Sequence, residues 1–151
     1  MAIGESIKQG HDHYRRIFNK LFATTPGQAQ LREQLFMEYA RALYAHHDAE
    51  ELKIFPKLIK VPEYRELTLE LIEEHETMKD LIKRLRELGY DKKMWRYKLS
   101  PLYSIMRIHW RKEEEQIFPF AVEHFSQEEL DRQGKEFDDF VLEFMKKGEP
   151  K

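Results

Sequence analysis

His46-His47-Asp48-Ala49-Glu50-Glu51-Leu52-Lys53-Ile54-Phe55-Pro56 returns later in the chain as His109-Trp110-Arg111-Lys112-Glu113-Glu114-Glu115-Gln116-Ile117-Phe118-Pro119. Aligned without a gap, both stretches read His-x-x-x-Glu-Glu-x-x-Ile-Phe-Pro. Residues four apart on an α-helix lie one above the other on the same face, so each copy sets an imidazole beside a carboxylate. That is a metal-ligand pair, used twice.

Composition narrows what such a pair can hold. The 151 residues suffice for one domain with a real core, and they include no cysteine. Disulfides, iron–sulfur clusters and thiolate zinc sites are therefore excluded, leaving His, Asp and Glu as ligands. The formal net charge is -2, with basic and acidic residues interleaved, so neither nucleic acid nor an anionic membrane is an expected partner. Met1-Ala2-Ile3-Gly4-Glu5-Ser6-Ile7-Lys8 lacks the apolar core of a signal peptide, and no uncharged run approaches the roughly 18 residues that span a bilayer. A soluble, cytoplasmic protein is expected.

Working outward, helical periodicity marks a first helix from about Ile3 to Phe22, with Ile7, His11, Tyr14, Ile17, Phe18 and Leu21 on one face. His11 belongs to that apolar stripe, and His13 lies at its edge. Thr24-Thr25-Pro26-Gly27 breaks the pattern. A second helix, about Gln28 to Phe55, carries Phe36, Tyr39, Leu43, His46, Glu50 and Ile54 along one stripe. His47 and Glu51 form a rival pair one residue over, but the later copy offers only His109 and Glu113 in its register and so favours His46 and Glu50. By this reading His47, like His13 and His124, is a surface residue.

Pro56 and Pro62 bracket a connection, and the two Phe-Pro pairs read as helix terminators. A third helix follows, about Glu63 to Leu88, closed by Gly89. Its frame His75-x-x-Met78-x-x-Leu81-Ile82-x-x-Leu85 coincides with His11-x-x-Tyr14-x-x-Ile17-Phe18-x-x-Leu21 of the first helix. A fourth helix, about Asp91 to Phe118, contains Pro101, which either kinks it or, with Ser100 as cap, starts its second part. Ser126-Gln127-Glu128-Glu129 resembles a capping box for a last helix, about Gln127 to Met145, with Gly148-Glu149-Pro150-Lys151 as a frayed tail. Trp95 and Trp110 read as core, and Lys79 as solvated.

The expected fold is all-α, an up-down-up-down antiparallel four-helix bundle over about residues 3–120 with a C-terminal helical appendage, in a single domain of residues 1–151. In such a bundle His11, His46, Glu50, His75, His109 and Glu113 converge in nearby layers at one end. Four imidazoles and two carboxylates exceed the four ligands of a structural zinc and suit two ions bridged by the carboxylates. Mixed nitrogen and oxygen ligation with open positions favours iron, with manganese or zinc as alternatives. No histidine has a Glu three residues before it, which disfavours the ferritin type of di-iron bundle. Glu51 and Glu114 are solvated or orient the ligand imidazoles.

The paired motifs, with His11 and His75, resemble the hemerythrin-like (HHE cation-binding) family over about residues 7–145. The resemblance implies a non-haem di-iron centre with Glu50 and Glu113 bridging and the histidines terminal. Members of that family bind oxygen reversibly, handle nitric oxide or peroxide, sense or store iron, or help repair iron centres. Two departures stand out. The oxygen carriers have a further histidine four residues before the one matching His75, where this chain has Leu71, and they close the fourth-helix motif with an Asp at a spacing of five, where this chain has Glu113 at four. One iron is therefore expected to lack a protein ligand, with Tyr14, Tyr39 or Tyr103 as candidates to fill the gap. The expected function is binding, sensing or reducing a small ligand such as oxygen, nitric oxide or peroxide. Iron storage, sensing or delivery, or a bundle with a purely structural metal, are the alternatives.

Overall fold

The computed structural model describes residues 1–147, and among them there are helices and no strands. The expected frayed tail lies outside the described residues. Seven α-helices follow in order: α1 (Ile3–Phe22), α2 (Ala29–Ala49), α3 (Phe55–Leu58), α4 (Pro62–Leu88), α5 (Lys93–Lys112), α6 (Phe118–His124) and α7 (Gln127–Lys146). None is long and apolar enough to cross a membrane.

The boundaries follow local chemistry. Before α2, Thr25 N–H donates to Gln28 Oε1 at 2.9 Å, closing a short turn in which Pro26 needs no donor. Pro62 opens α4, and Gly89 ends it at φ +96°, a conformation a side chain would strain. Pro101 lies inside a continuous α5 on its exposed side, so it neither breaks the helix nor starts a new one. Ser126 Oγ accepts from the Glu129 N–H at 3.1 Å and caps α7.

The Phe-Pro pairs do not terminate helices, contrary to expectation. Each copy of the repeated motif instead passes through one π-helical segment, Glu50–Ile54 or Glu113–Ile117, and continues into α3 or α6. The N–H of Phe55 bonds the Glu50 carbonyl, and that of Phe118 bonds the Glu113 carbonyl. The proline that follows has no N–H, and in an α-helix its ring would clash with the carbonyl four residues back; a wider i→i−5 turn relieves this. Each widened turn begins at a motif glutamate.

Two apolar clusters form the core. One contains Tyr14, Leu43, Met78, Met106 and Trp110; the other contains Ile7, Ile54, Leu71, Ile117 and Phe137. A polar layer lies between them. Along α1 and α4 the order is Ile7, His11, Tyr14 and Leu71, His75, Met78. Along α2 and α5, each with the π-helical segment that continues it, the order is reversed: Leu43, His46, Ile54 and Met106, His109, Ile117.

Far from that layer, Arg32 is fully buried and ties the loops together. It donates to Thr24 Oγ1 at 2.8 Å and to the Tyr90 carbonyl at 2.9 Å. The helix α7 is more than an appendage, because it packs against both α1 and α2. Ser6 Oγ donates to Asp138 Oδ2 at 3.1 Å, and Arg41 donates to the Met145 carbonyl at 2.9 Å. Gly134 lets α7 approach the start of the chain, since a Cβ there would lie 2.0 Å from the Met1 carbonyl oxygen.

Candidate metal centre

The polar layer gathers seven buried side chains: His11, His46, His47, Glu50, His75, His109 and Glu113. Six are the residues singled out in the sequence, and the structure brings all six together. The seventh, His47, is a correction. Expected at the surface, it is 1 % exposed and lies in the layer. His13 is half-buried at the edge and His124 is exposed.

The seven fall into two groups, His47–Glu50–His75–His109 and His11–His46–Glu113, with one potential ligand atom from each residue within 4.8 Å of the others in its group. The carboxylates span the groups. Glu50 places Oε1 3.1 Å from His75 Nε2 and Oε2 3.6 Å from His46 Nε2. Glu113 Oε1 lies 3.2 Å from His11 Nε2 and 3.4 Å from His109 Nε2.

Several of these atoms meet at ion-pair distance without hydrogen-bond geometry. His11 Nε2, His46 Nε2, both oxygens of Glu50 and Glu113 Oε1 are buried and have no hydrogen-bond partner. Leaving such groups unpaired in an apolar interior costs several kcal/mol each, so the layer is unfavourable unless protons or cations lie among the atoms.

The far side of two imidazoles is hydrogen-bonded, and that of His11, which has no hydrogen-bond partner, faces a carboxylate at ion-pair distance. His75 Nδ1–H donates to Glu51 Oε2 at 3.2 Å, and His109 Nδ1–H donates to Glu74 Oε1 at 2.8 Å. Glu114 Oε2 lies 3.7 Å from His11 Nδ1 and accepts from Arg15 at 3.3 Å. Glu74 is in turn held by Lys112, which also reaches Glu70. A carboxylate that accepts a hydrogen bond from Nδ1–H keeps the proton on that nitrogen and leaves Nε2 with its lone pair, the tautomer a metal requires. In that tautomer His75 Nε2 and His109 Nε2, 3.2 Å apart, turn lone pairs toward each other, which favours a cation between them. The residues fit a metal.

The ionisation of the metal-free layer reflects the same crowding. Burial opposes charge on His11 and His75, but Glu113 with Glu114, and Glu50 with Glu51, outweigh it and raise both to about 9. Burial, reinforced by the positive charge of neighbouring histidines, holds His46 and His47 well below the usual imidazole range. Burial also lifts Glu113, and the charge of Glu50 lifts it further. Glu50 is lowered despite its burial, through Glu113 and His75. Of the two adjacent carboxylates Glu113 is therefore the more basic.

Of the three tyrosines considered for the gap left by Leu71, Tyr103 stacks on Phe18 and the other two direct their hydroxyls to other partners. Tyr14 donates to the Ala42 carbonyl at 3.1 Å and Tyr39 to Met106 Sδ at 2.7 Å, and Leu71 packs in the apolar core. The extra imidazole is that of His47, on the adjacent helix. Its signal in the sequence was the His46-His47 pair itself, two positions about 100° apart on a helix that can both border one interior.

An all-helical chain with a buried His/Glu layer able to hold cations is the class that fold and site define. A model of the hemerythrin HHE cation-binding domain matches residues 2–121, and the chain belongs to that family. Comparison with curated proteins and with solved structures gives no match. The helix α7 lies beyond the matched segment.

Proposed function

We propose that the chain is a non-haem di-iron protein that binds, senses or reduces a small oxygen or nitrogen species such as oxygen, nitric oxide or peroxide. The observation that carries this reading is the pair of adjacent donor groups, each able to hold one ion, with Glu50 and Glu113 reaching across both. His47, His75 and His109 would hold one ion and His11 and His46 the other. Bound iron supplies redox chemistry and a position for an exchangeable ligand. The chain's own part is to fix the His75 and His109 imidazoles through Glu51 and Glu74, to set the Glu114 charge beside His11, and to exclude bulk water with apolar clusters on both sides of the layer. The opposite order in which α1 and α4, against α2 and α5, cross those clusters supports an up-down-up-down arrangement.

One observation favours a second reading, a purely structural metal: of the seven side chains only His46 exceeds 1 % exposure. Elemental analysis with the visible spectrum, recorded without oxygen and then with it, separates the two. Two irons per chain and an oxygen-dependent band support the proposal. Zinc alone, or iron that responds to no small ligand, overturns it.

A further inference from the structure

The repeat makes position 110 the counterpart of position 47, and the two side chains are placed alike. His47 lies flat on His75 with ring centroids 3.6 Å apart, and Trp110 stacks on His11 at 5.2 Å. Where one half offers a nitrogen donor, the other offers an indole that has none to give a metal. The result is unequal groups, four side chains around His75 and three around His11.

The three-membered group is also the one that meets a cavity. A cavity of about 340 Å³ opens between α1, α2 and α7 and is lined by Gly10, Tyr14, His46, Phe137, Val141 and Met145 among others. Four other cavities are lined by none of the seven layer residues. His46, at 4 %, is correspondingly the most exposed of the seven. Within this lining Phe137 sets its ring edge on His46, with centroids 5.0 Å apart and planes at 84°.

We propose that small neutral molecules reach the His11–His46–Glu113 side of the centre through this cavity, and that Phe137 of α7 is the residue that sets their size. The inference rests on the small-ligand reading above and adds the side of the centre, the route and the selecting residue. The lining selects by chemistry as well. Tyr14, Phe137, Val141 and Met145 present apolar surface beside the polar Ser6, Gln9 and His13, and the Asp138 carboxylate in the lining, which accepts from Ser6, opposes anions. A diatomic gas or peroxide fits both conditions, whereas a carboxylate or phosphate fits neither. Phe137 and Val141 both lie on α7, beyond the matched family segment.

The test compares Phe137→Ala, which removes the ring, with Val141→Trp, which narrows the cavity without touching His46. Metal content is measured on each alongside the association rate of nitric oxide with the ferrous-loaded protein. At unchanged metal content, Phe137→Ala should raise that rate about threefold or more and Val141→Trp should lower it comparably. Equal rates in both variants and the parent overturn the route. If no loaded form binds nitric oxide, the small-ligand reading fails on its own, and the route is judged without metal. Oxygen quenching of Trp110 fluorescence in a Trp95→Phe background should then rise with Phe137→Ala and fall with Val141→Phe, which narrows the cavity without adding a second indole. Quenching that ignores both substitutions overturns it.

Discussion

The imidazoles of His47 and His75 lie face to face, 7° from parallel. Nothing in the His-x-x-x-Glu repeat requires this contact, because the later copy carries Trp110 at the corresponding position. It gives the group around Glu50 its fourth side chain. His47→Ala is therefore expected to lower bound metal toward one ion per chain, while His124→Ala leaves it unchanged. Elemental analysis of the two purified variants checks this, and full metal retention in His47→Ala removes His47 from the ligand set.

Glu74 acts on the centre through His109. Glu74→Gln keeps the shape but replaces the carboxylate that accepts the hydrogen bond from Nδ1–H and salt-bridges Lys112. Loss of a carboxylate brace of this kind costs about 10–100-fold in metal affinity. A competitive chelator titration should show a drop in that range with the helical circular dichroism preserved. An affinity equal to the parent's would show that the bond does not tune His109.

Gly10 is required by a close approach. A Cβ at this position would lie 2.6 Å from His46 Nδ1, in a ring already hemmed in by His11, Tyr14 and Phe137. Gly10→Ala must displace that ring or the helix. The expected outcome is a destabilisation of about 1–3 kcal/mol, as for other overpacked interiors, together with lowered metal content. A melting temperature and a metal content both at parental values would show that the ring has room to move.

The pH dependence of stability has a definite sign in the metal-free protein. His11 and His75 titrate near 9 when folded, against 6.5 for an ordinary imidazole. Between those values the folded chain holds more protons than the unfolded one. This contribution is fully present below pH 6.5 and is lost as the pH rises through about 9. Thermal melts should accordingly shift to lower temperature across that window, and bound metal, by replacing the protons, should flatten the shift. A metal-free protein that gains stability over the same range would contradict the charge assignment.

Much of this centre is legible in the sequence because helices impose a fixed period. A stripe of apolar residues interrupted once by histidine, repeated in four helices, defines one polar layer, and the matching frames around His11 and His75 distinguish His11 from His13. The Ser126 cap and Gly89 are legible for a similar reason, since each depends on one residue's local chemistry.

What the sequence by itself determined is the helical class, the family and six of the seven buried side chains, all properties of spacing along single helices. Tertiary structure alone decided the rest. Whether His47 faces in depends on how α2 packs against α4 and α5, which periodicity does not encode for two adjacent positions. The π segments arise where a proline and a buried glutamate must be accommodated together. The role of α7 depends on Gly134 meeting Met1 and on Asp138 meeting Ser6, contacts between opposite ends of the chain that are invisible until it is folded.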